Sequence, residues 1–274
     1  MNIHKFLICT ISNKPLQYAE MKTSFLQAGF TDEKCRYEVF DNFLENRHDP
    51  YRTISQVLAE AREPFVIFCH QDVLLDKGDG FDHLVSRLDN LSQFDPQWAI
   101  AGNAGSAEDL AIVIKITDPN GVFDTGNLPQ KVCSLDENFL VLRTDARLRC
   151  SEALSGFHLY AADLCLQAMR RGLSAYVIDF HLSHLSGGNT ESTDFKQSLI
   201  RFQQHWNRAF LLCLMNTPCT TYTFFTLSRS RVIRRLLRYG RVRGWIKRHM
   251  EAYVRISRTK KRVRQGYTRL RRAS

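Results

Sequence analysis

The sequence has no apolar stretch approaching the roughly 20 residues that a membrane-spanning helix needs. It runs from Met1-Asn2-Ile3-His4-Lys5 straight into a strand-like segment, with neither the apolar core nor the small-residue cleavage site of a secretory leader. Its eight cysteines, at 9, 35, 69, 133, 150, 165, 213 and 219, form no CxxC pair. That excludes the usual zinc-finger and dithiol-redox spacings. Cys9, Cys69 and Cys165 instead sit inside apolar runs, where a thiol packs as a small hydrophobe, the usage of a reducing compartment. Internal repeats are absent, and so is any low-complexity stretch before the C-terminal tail. These absences lead to the expectation of a cytoplasmic protein whose contact with a membrane is peripheral.

What is present is an ordinary globular composition, 274 residues with 44% apolar and 24% charged, carrying a net charge of +10. The charge is unevenly spread. From Arg229 to Ser274 there are 18 Lys/Arg against one acid, Glu251, which leaves 20 Lys/Arg against 27 Asp/Glu in residues 1–228. An acidic body with a basic tail is expected, divided into residues 1–225 and 226–274.

The first 110 residues alternate between β-capable apolar runs and helical stretches. Strands are expected at 3–9, 37–40, 65–69 and 98–102, and helices at 15–28, 53–63 and 81–91. Phe65-Val66-Ile67-Phe68-Cys69 is apolar at successive positions, as a central strand covered on both faces must be. Further strands are expected at 110–116, 139–143 and 175–180, with a turn at Asp118-Pro119-Asn120-Gly121 and a helix over 159–171. The rhythm implies an α/β fold: a Rossmann-like, mostly parallel sheet with helices on both faces. Ligands of such sheets bind beyond the carboxyl ends of the strands. The polar residues just after strands are therefore the candidates: Thr10 and Ser12, Asp41 and Asn42, and His70-Gln71-Asp72.

Asp72 follows five apolar residues and a short polar step, a position where a divalent cation would offset the cost of burying its charge. The alternative is a carboxylate that caps the next turn. Asp163 lies in the first turn of the 159–171 helix, where the dipole favours an ionised base, or merely the helix itself. His184, in the glycine-ended loop His181-Leu182-Ser183-His184-Leu185-Ser186-Gly187-Gly188, is a candidate metal or diphosphate ligand, with His181 as its competitor. Asp136-Glu137 can bind a sugar hydroxyl, accept a proton, or simply form a solvated turn.

In order along the chain, His70-Gln71-Asp72-Val73, residues 98–105, Leu135-Asp136-Glu137, residues 156–165, Tyr176-Val177-Ile178-Asp179 and residues 184–188 resemble the glycosyltransferase family 2-like group with the GT-A fold. The branch is the one whose metal motif reads His-Gln-Asp-Val, and the resemblance spans about residues 3–206. It implies a hexosyltransferase-like enzyme that moves a sugar from a nucleotide-sugar donor to a glycan or lipid-linked acceptor, with inversion, in cell-surface polysaccharide or lipopolysaccharide synthesis. It places Asp72 at the last Asp of an Asp-X-Asp motif and, with His184, on a Mn²⁺ or Mg²⁺ ion. Asp163 becomes the general base. Thr10, Ser12 and Asp41 surround the nucleotide base, His70 and Gln71 belong to the donor site, and Asp136, Glu137 and His158 to the acceptor or sugar. The sequence departs from the pattern at His70, where the first acid stands, at Ala162, where an acid precedes the base, and at Tyr51-Arg52, which replaces Tyr-Asn.

The tail segment Arg229–Arg238 carries Val232, Ile233, Leu236 and Leu237 at helical spacing among arginines, with Tyr239, Trp245 and Tyr253 beyond. That is the pattern of a basic amphipathic helix on an anionic membrane surface, so the protein is expected at the inner face of the cell membrane. RNA is the rival partner for such a tail, but the acidic body disfavours it. A catalytically inactive GT-A-like module that binds a nucleotide or glycan is the other alternative, supported by the acid lost at His70.

Overall fold

A computed structural model describes residues 4–187, 192–207, 212–217 and 221–225. The basic stretch 229–274, with its expected amphipathic helix, and Gly188 of the glycine pair lie outside the described residues.

Chain order is β1 (Phe6–Ser12), α1 (Pro15–Gln27), β2 (Cys35–Asp41), α2 (Pro50–Glu60), β3 (Phe65–Cys69), β4 (Val73–Leu74) and α3 (Phe81–Phe94). Then come β5 (Trp98–Gly102), β6 (Ala104–Ser106), β7 (Ile112–Asp118), β8 (Gly121–Thr125), β9 (Gln130–Val132), β10 (Ser134–Leu135) and β11 (Phe139–Arg143). The order ends with α4 (Tyr160–Arg170), β12 (Ser174–Val177), β13 (Leu182–His184), α5 (Thr193–Trp206), β14 (Leu212–Asn216) and β15 (Thr221–Phe225).

The main sheet has seven strands in the order β2-β1-β3-β11-β5-β12-β9. β2, β1, β3, β5 and β12 run one way, and β11 and β9 run against them. Successive side chains on these strands alternate between two apolar layers, because side chains in a strand point to opposite faces. Leu7, Cys9, Val66, Phe68, Leu140 and Leu142 pack on one side with α2, α4 and α5. Phe6, Ile8, Ile67, Cys69, Phe139 and Val141 pack on the other with α1 and α3. The expected α/β class, with helices on both faces, is thus what the structure has.

A second sheet, β10-β6-β7-β13-β4 with β8 beside β7, crowns the carboxyl ends of the main strands near β3 and β5 through chain continuity at β4 and β6. Its short strands were not legible as periodic runs. One pairing matters for the site. β13 pairs antiparallel with β4, setting His184 opposite Val73, and the amide of Leu185 donates to the Asp72 carbonyl at 2.9 Å.

Gly105 sits where β6 meets β10, opposite Leu135. A Cβ there would run into the backbone carbonyl of Ser134. Gly105→Ala should therefore force β10 away from β6 and destabilise the fold by about 2 kcal/mol. Thermal unfolding should read this as a loss of about 5 °C.

Candidate active site

The carboxyl ends of β1, β2 and β3 open into a cleft of about 260 Å³ lined by Ile11, Asn13, Asn42, Asn46, Pro50, Phe68 to Asp72, Phe157 and Tyr160. Each wall has a local cause. The β1–β2 ladder is extended by Asn42, whose amide donates to the Ser12 carbonyl at 2.8 Å. The Asn42 side chain then folds the following loop, accepting from the amides of Arg47 and His48 at 2.9 Å each and donating to the His48 carbonyl at 2.8 Å. Asp49 caps α2 through the amide of Arg52, with Pro50 in the first turn, where its missing N–H costs nothing. The third wall is the turn before α4. Tyr51 donates to the His158 carbonyl at 2.8 Å, and Leu159 adopts a left-handed φ of 71° that delivers Tyr160 to the cleft.

At the mouth, His70, Asp72 and His184 offer ligand atoms that all lie within 4.8 Å of one another. His184 Nε2 stands 3.3 Å from Asp72 Oδ1 and 3.4 Å from His70 Nδ1. His70 Nε2 stands 2.9 Å from the Tyr160 hydroxyl, which donates to the Glu137 carbonyl at 3.2 Å. Burial works against the charge on Asp72, but the hydrogen bond and charge of His184 win and hold its carboxyl far below the usual range. Burial also opposes the charged form of His184, and Asp72 outweighs it, raising that imidazole. His70 goes the other way: burial, aided by the charge of His184, takes it down to about 4 despite nearby Asp72. A low-lying carboxylate beside two imidazoles, one of them neutral, is a donor set that fits a divalent metal.

Of the donor-site residues expected from sequence, His70 and Gln71 line the cleft and the others do not. Thr10 and Ser12 are buried, because β1 alternates and it is Ile11 and Asn13 that face the opening. The Thr10 hydroxyl instead meets Cys69 Sγ at 3.5 Å. Gln71 is a clamp: its Oε1 accepts from the Ser12 hydroxyl at 2.7 Å and from the amides of Asn13 and Lys14 at 3.0 and 2.9 Å, while its Nε2 donates to Asn13 Oδ1 at 2.7 Å. Asp41 is exposed and absent from the cleft lining, its Oδ1 closing a turn with the amide of Phe43 at 2.6 Å.

Asp163, expected as the general base, is held away from the cleft opening by its own hydrogen bonds. It is fully buried and accepts three hydrogen bonds, from the Ser151 amide and hydroxyl at 2.7 Å each and from Trp206 Nε1 at 2.9 Å. Reaching a substrate hydroxyl would require dismantling that cage. The residue ties α4 to residue 151 and to the end of α5.

Asp136 and Glu137 stand nearer the chemistry. Their segment is placed by the His70 amide donating to the Asn138 carbonyl and the Asp136 amide donating to the Ala104 carbonyl, at 2.9 and 2.8 Å. The charge of Asp136 acts on both His70 and His184. Burial, and then the charge of Asp136, lift the Glu137 carboxyl to about 8, against the backbone N–H groups at the head of α4. Its Oε1 is shielded from solvent without a hydrogen-bond partner. His158 is half-buried, edge-on to Phe195 at 5.3 Å between ring centroids, and burial lowers its basicity. His181, the competitor for the ligand role, bonds Thr117 at 2.9 Å and stands outside the triad.

Tyr160, Asn13 and Asn46 escaped the sequence reading. Tyr160 had a signal, since a buried tyrosine hydroxyl at the head of a helix needs a partner.

No protein-family model matches the sequence. Among solved structures, S. aureus TarS residues 1–349 in complex with UDP-GlcNAc aligns at 12% identity and a TM-score of 0.47, over 73% of this chain and 66% of that one. The mannosyltransferase PcManGT of Pyrobaculum calidifontis, in complex with GDP-Man and Mn²⁺, aligns at 12% identity and a TM-score of 0.46, over 75% of this chain and 63% of that one. Likeness at this level leaves the chemistry to be argued from the residues of this chain. The sequence comparison goes further: a protein of Fuscovulum blasticum described as "ATP synthase subunits region ORF 6" is 37% identical over 187 residues, which cover 65% of this chain and 74% of that protein. At that identity and coverage, the chain belongs to the same family as the ORF 6 protein of the Fuscovulum blasticum ATP synthase subunits region.

Proposed function

We propose that the chain is a metal-dependent glycosyltransferase of GT-A type that takes its sugar from a nucleoside-diphosphate donor. The observation that carries this reading is the position of the His70–Asp72–His184 cluster at the mouth of a cleft beyond the carboxyl ends of β1, β2 and β3. A nucleoside fits the inner cleft between Ile11, Asn13, Asn42 and Asn46, which puts its diphosphate near Asp72 and His184. Held by those two residues, Mn²⁺ or Mg²⁺ would offset charge on the departing diphosphate. The acceptor approaches from the side of Asp136, Glu137 and His158, and Asp136 takes the proton of its hydroxyl as that oxygen displaces the diphosphate with inversion. His70 orders the metal side, and Gln71 holds the 12–14 loop against the cleft.

The acceptor in this reading is a glycan or a lipid-linked glycan of the cell surface. In this reading the basic residues 229–274 hold the enzyme to the anionic inner face of the cell membrane. No helix among the described residues is long and apolar enough to cross a membrane. A second reading, a binding module without turnover, draws on the closed cage around Asp163.

The full chain should be screened against UDP-, GDP- and dTDP-sugars with Mn²⁺. One nucleotide class, at a hundredfold excess over its Kd, should stabilise the protein by about 2.7 kcal/mol, read as a rise of about 8 °C in Tm. Slow, chelator-sensitive release of the nucleoside diphosphate should accompany it. Binding without release favours the inactive module, and no shift with any nucleotide sinks the donor reading.

A further inference from the structure

Three asparagines line the inner cleft, and the backbone dictates how two of them are turned. The amides of Asn13 and Lys14 can only donate, so the Gln71 atom 3.0 and 2.9 Å from them is its carbonyl oxygen. Gln71 Nε2 must then donate, which makes the Asn13 atom 2.7 Å away the oxygen Oδ1. Asn13 is left with its NH₂ group to offer a ligand. Asn42 is fixed in the same way. The amides of Arg47 and His48 claim its Oδ1 at 2.9 Å each, and Nδ2 gives one of its two protons to the His48 carbonyl at 2.8 Å. All that Asn42 still has to give is an N–H. Asn46 differs: it is exposed on the cleft wall, and its side chain bonds none of the described residues, so it supplies both a donor and an acceptor. No carboxylate joins them, since Asp72 stands at the mouth and Asp41 is outside the lining.

We infer that the cleft selects a donor whose base is a 2,4-dioxopyrimidine, uracil or thymine, and that Asn46 is its specificity-determining residue. This rests on the donor reading of the cleft. Two fixed donors, on Asn13 and Asn42, call for two carbonyl acceptors on the base. Uracil and thymine have two, with one N–H between them for Asn46 Oδ1 to accept. Guanine and cytosine have one carbonyl each and adenine has none, and all three carry an exocyclic amine that would meet the N–H groups of the wall. Guanine in particular sets two adjacent donors, N1–H and the N2 amine, against a single available acceptor. Size points the same way. A cleft of about 260 Å³ lies under the roughly 300 Å³ at which small-molecule sites begin, so one ring fits better than two. Ile11, Pro50 and Phe157 supply apolar surface for the faces of that ring. The contact expected of Asp41 thus passes to Asn46, five residues on, and to Asn13 in the grip of Gln71.

The test is a binding series that needs no turnover. UDP, dTDP, CDP, GDP and ADP are titrated into the full chain at one fixed Mn²⁺ concentration, with the heat of binding as readout. UDP or dTDP should bind about 30-fold more tightly than CDP, GDP and ADP, and the first two arms tell uracil from thymine. Any of the other three binding as tightly as the better of these overturns the inference. Asn46→Asp exchanges the one adjustable amide for a group that only accepts. Because position 46 is exposed, the variant should fold as wild type does. It should weaken the pyrimidine nucleotide and strengthen GDP, moving the ratio of their affinities at least about 10-fold toward GDP. An unchanged ratio also overturns the inference. A protein that prefers GDP keeps the transferase reading and loses only the base assignment. Tight UDP or dTDP with no sugar transfer keeps the base assignment and removes the transferase, and a chain that binds none of the five loses both.

Discussion

Asp72→Ala should bring metal-stimulated turnover of the donor down by about 10³-fold, corresponding to about 4 kcal/mol of transition-state stabilisation. The reason lies in the charges at the mouth of the cleft. Asp72 is the one carboxylate in the triad, and its side chain is only 14% exposed, so solvent cannot substitute for it. It also holds His184, which keeps its raised basicity only while the carboxylate is there. Removing Asp72 therefore loses one ligand and loosens a second. The check is turnover against added Mn²⁺ for wild type and variant, together with the circular dichroism of each. A variant that is folded and still responds to Mn²⁺ as wild type does would remove Asp72 from the site. Asp72→Asn should behave nearly as badly, because an amide keeps the shape and loses the charge.

The second large effect is on stability. Asp163→Ala strands three buried donors at once: the amide and hydroxyl of Ser151 and the indole N–H of Trp206. At about 1–3 kcal/mol for each unsatisfied group, the loss is about 4 kcal/mol or more, comparable with the whole stability of many domains. Asp163→Asn keeps an acceptor and the shape but not the charge, and should cost about 2 kcal/mol, a fall of about 6 °C in Tm. This outcome separates the two roles. A clamp moves Tm and leaves the folded fraction active. A general base would leave Tm nearly unchanged and stop turnover.

That distinction was partly available in the sequence. Tyr160-Ala161-Ala162-Asp163-Leu164-Cys165-Leu166 has no polar face, and a helix apolar all round is a buried one. An acid inside such a run must be caged, whatever the dipole favours at its first turn. β3, β5 and β11 were legible to the residue, at 65–69, 98–102 and 139–143, because continuous apolar runs bounded by polar residues have a single reading. The strand expected over 175–180 stops at Val177, and the one expected from 110 begins at Ile112, after Leu110 turns with φ of 68°.

The site was harder to read. Thr10 and Ser12 were chosen for following an apolar run, which orders residues along a strand but does not say which face each takes. The approach of His184 to Asp72 depends on β4 and β13, strands of two and three residues that are too short to carry a period. α5 did have a pattern, with Phe195, Ser198, Phe202 and Trp206 on its buried face behind a Ser192 cap, but its first residues are polar and the reading passed over it.

The clip between β4 and β13 also bears on how the chain comes together. His70 and His184 are 114 positions apart, and the backbone bond from Leu185 to Asp72 is part of what joins them. A cation held by both ends, as proposed for this site, would close that span only in the native arrangement and so fasten a long-range contact. Hydrogen exchange at residues 182–187 should report this directly: opening in the apo chain well below the global unfolding free energy, and slowing once the ion is bound. Such a protein would mature when it meets its metal, and a nascent copy starved of the ion would expose the 182–187 segment to proteases first.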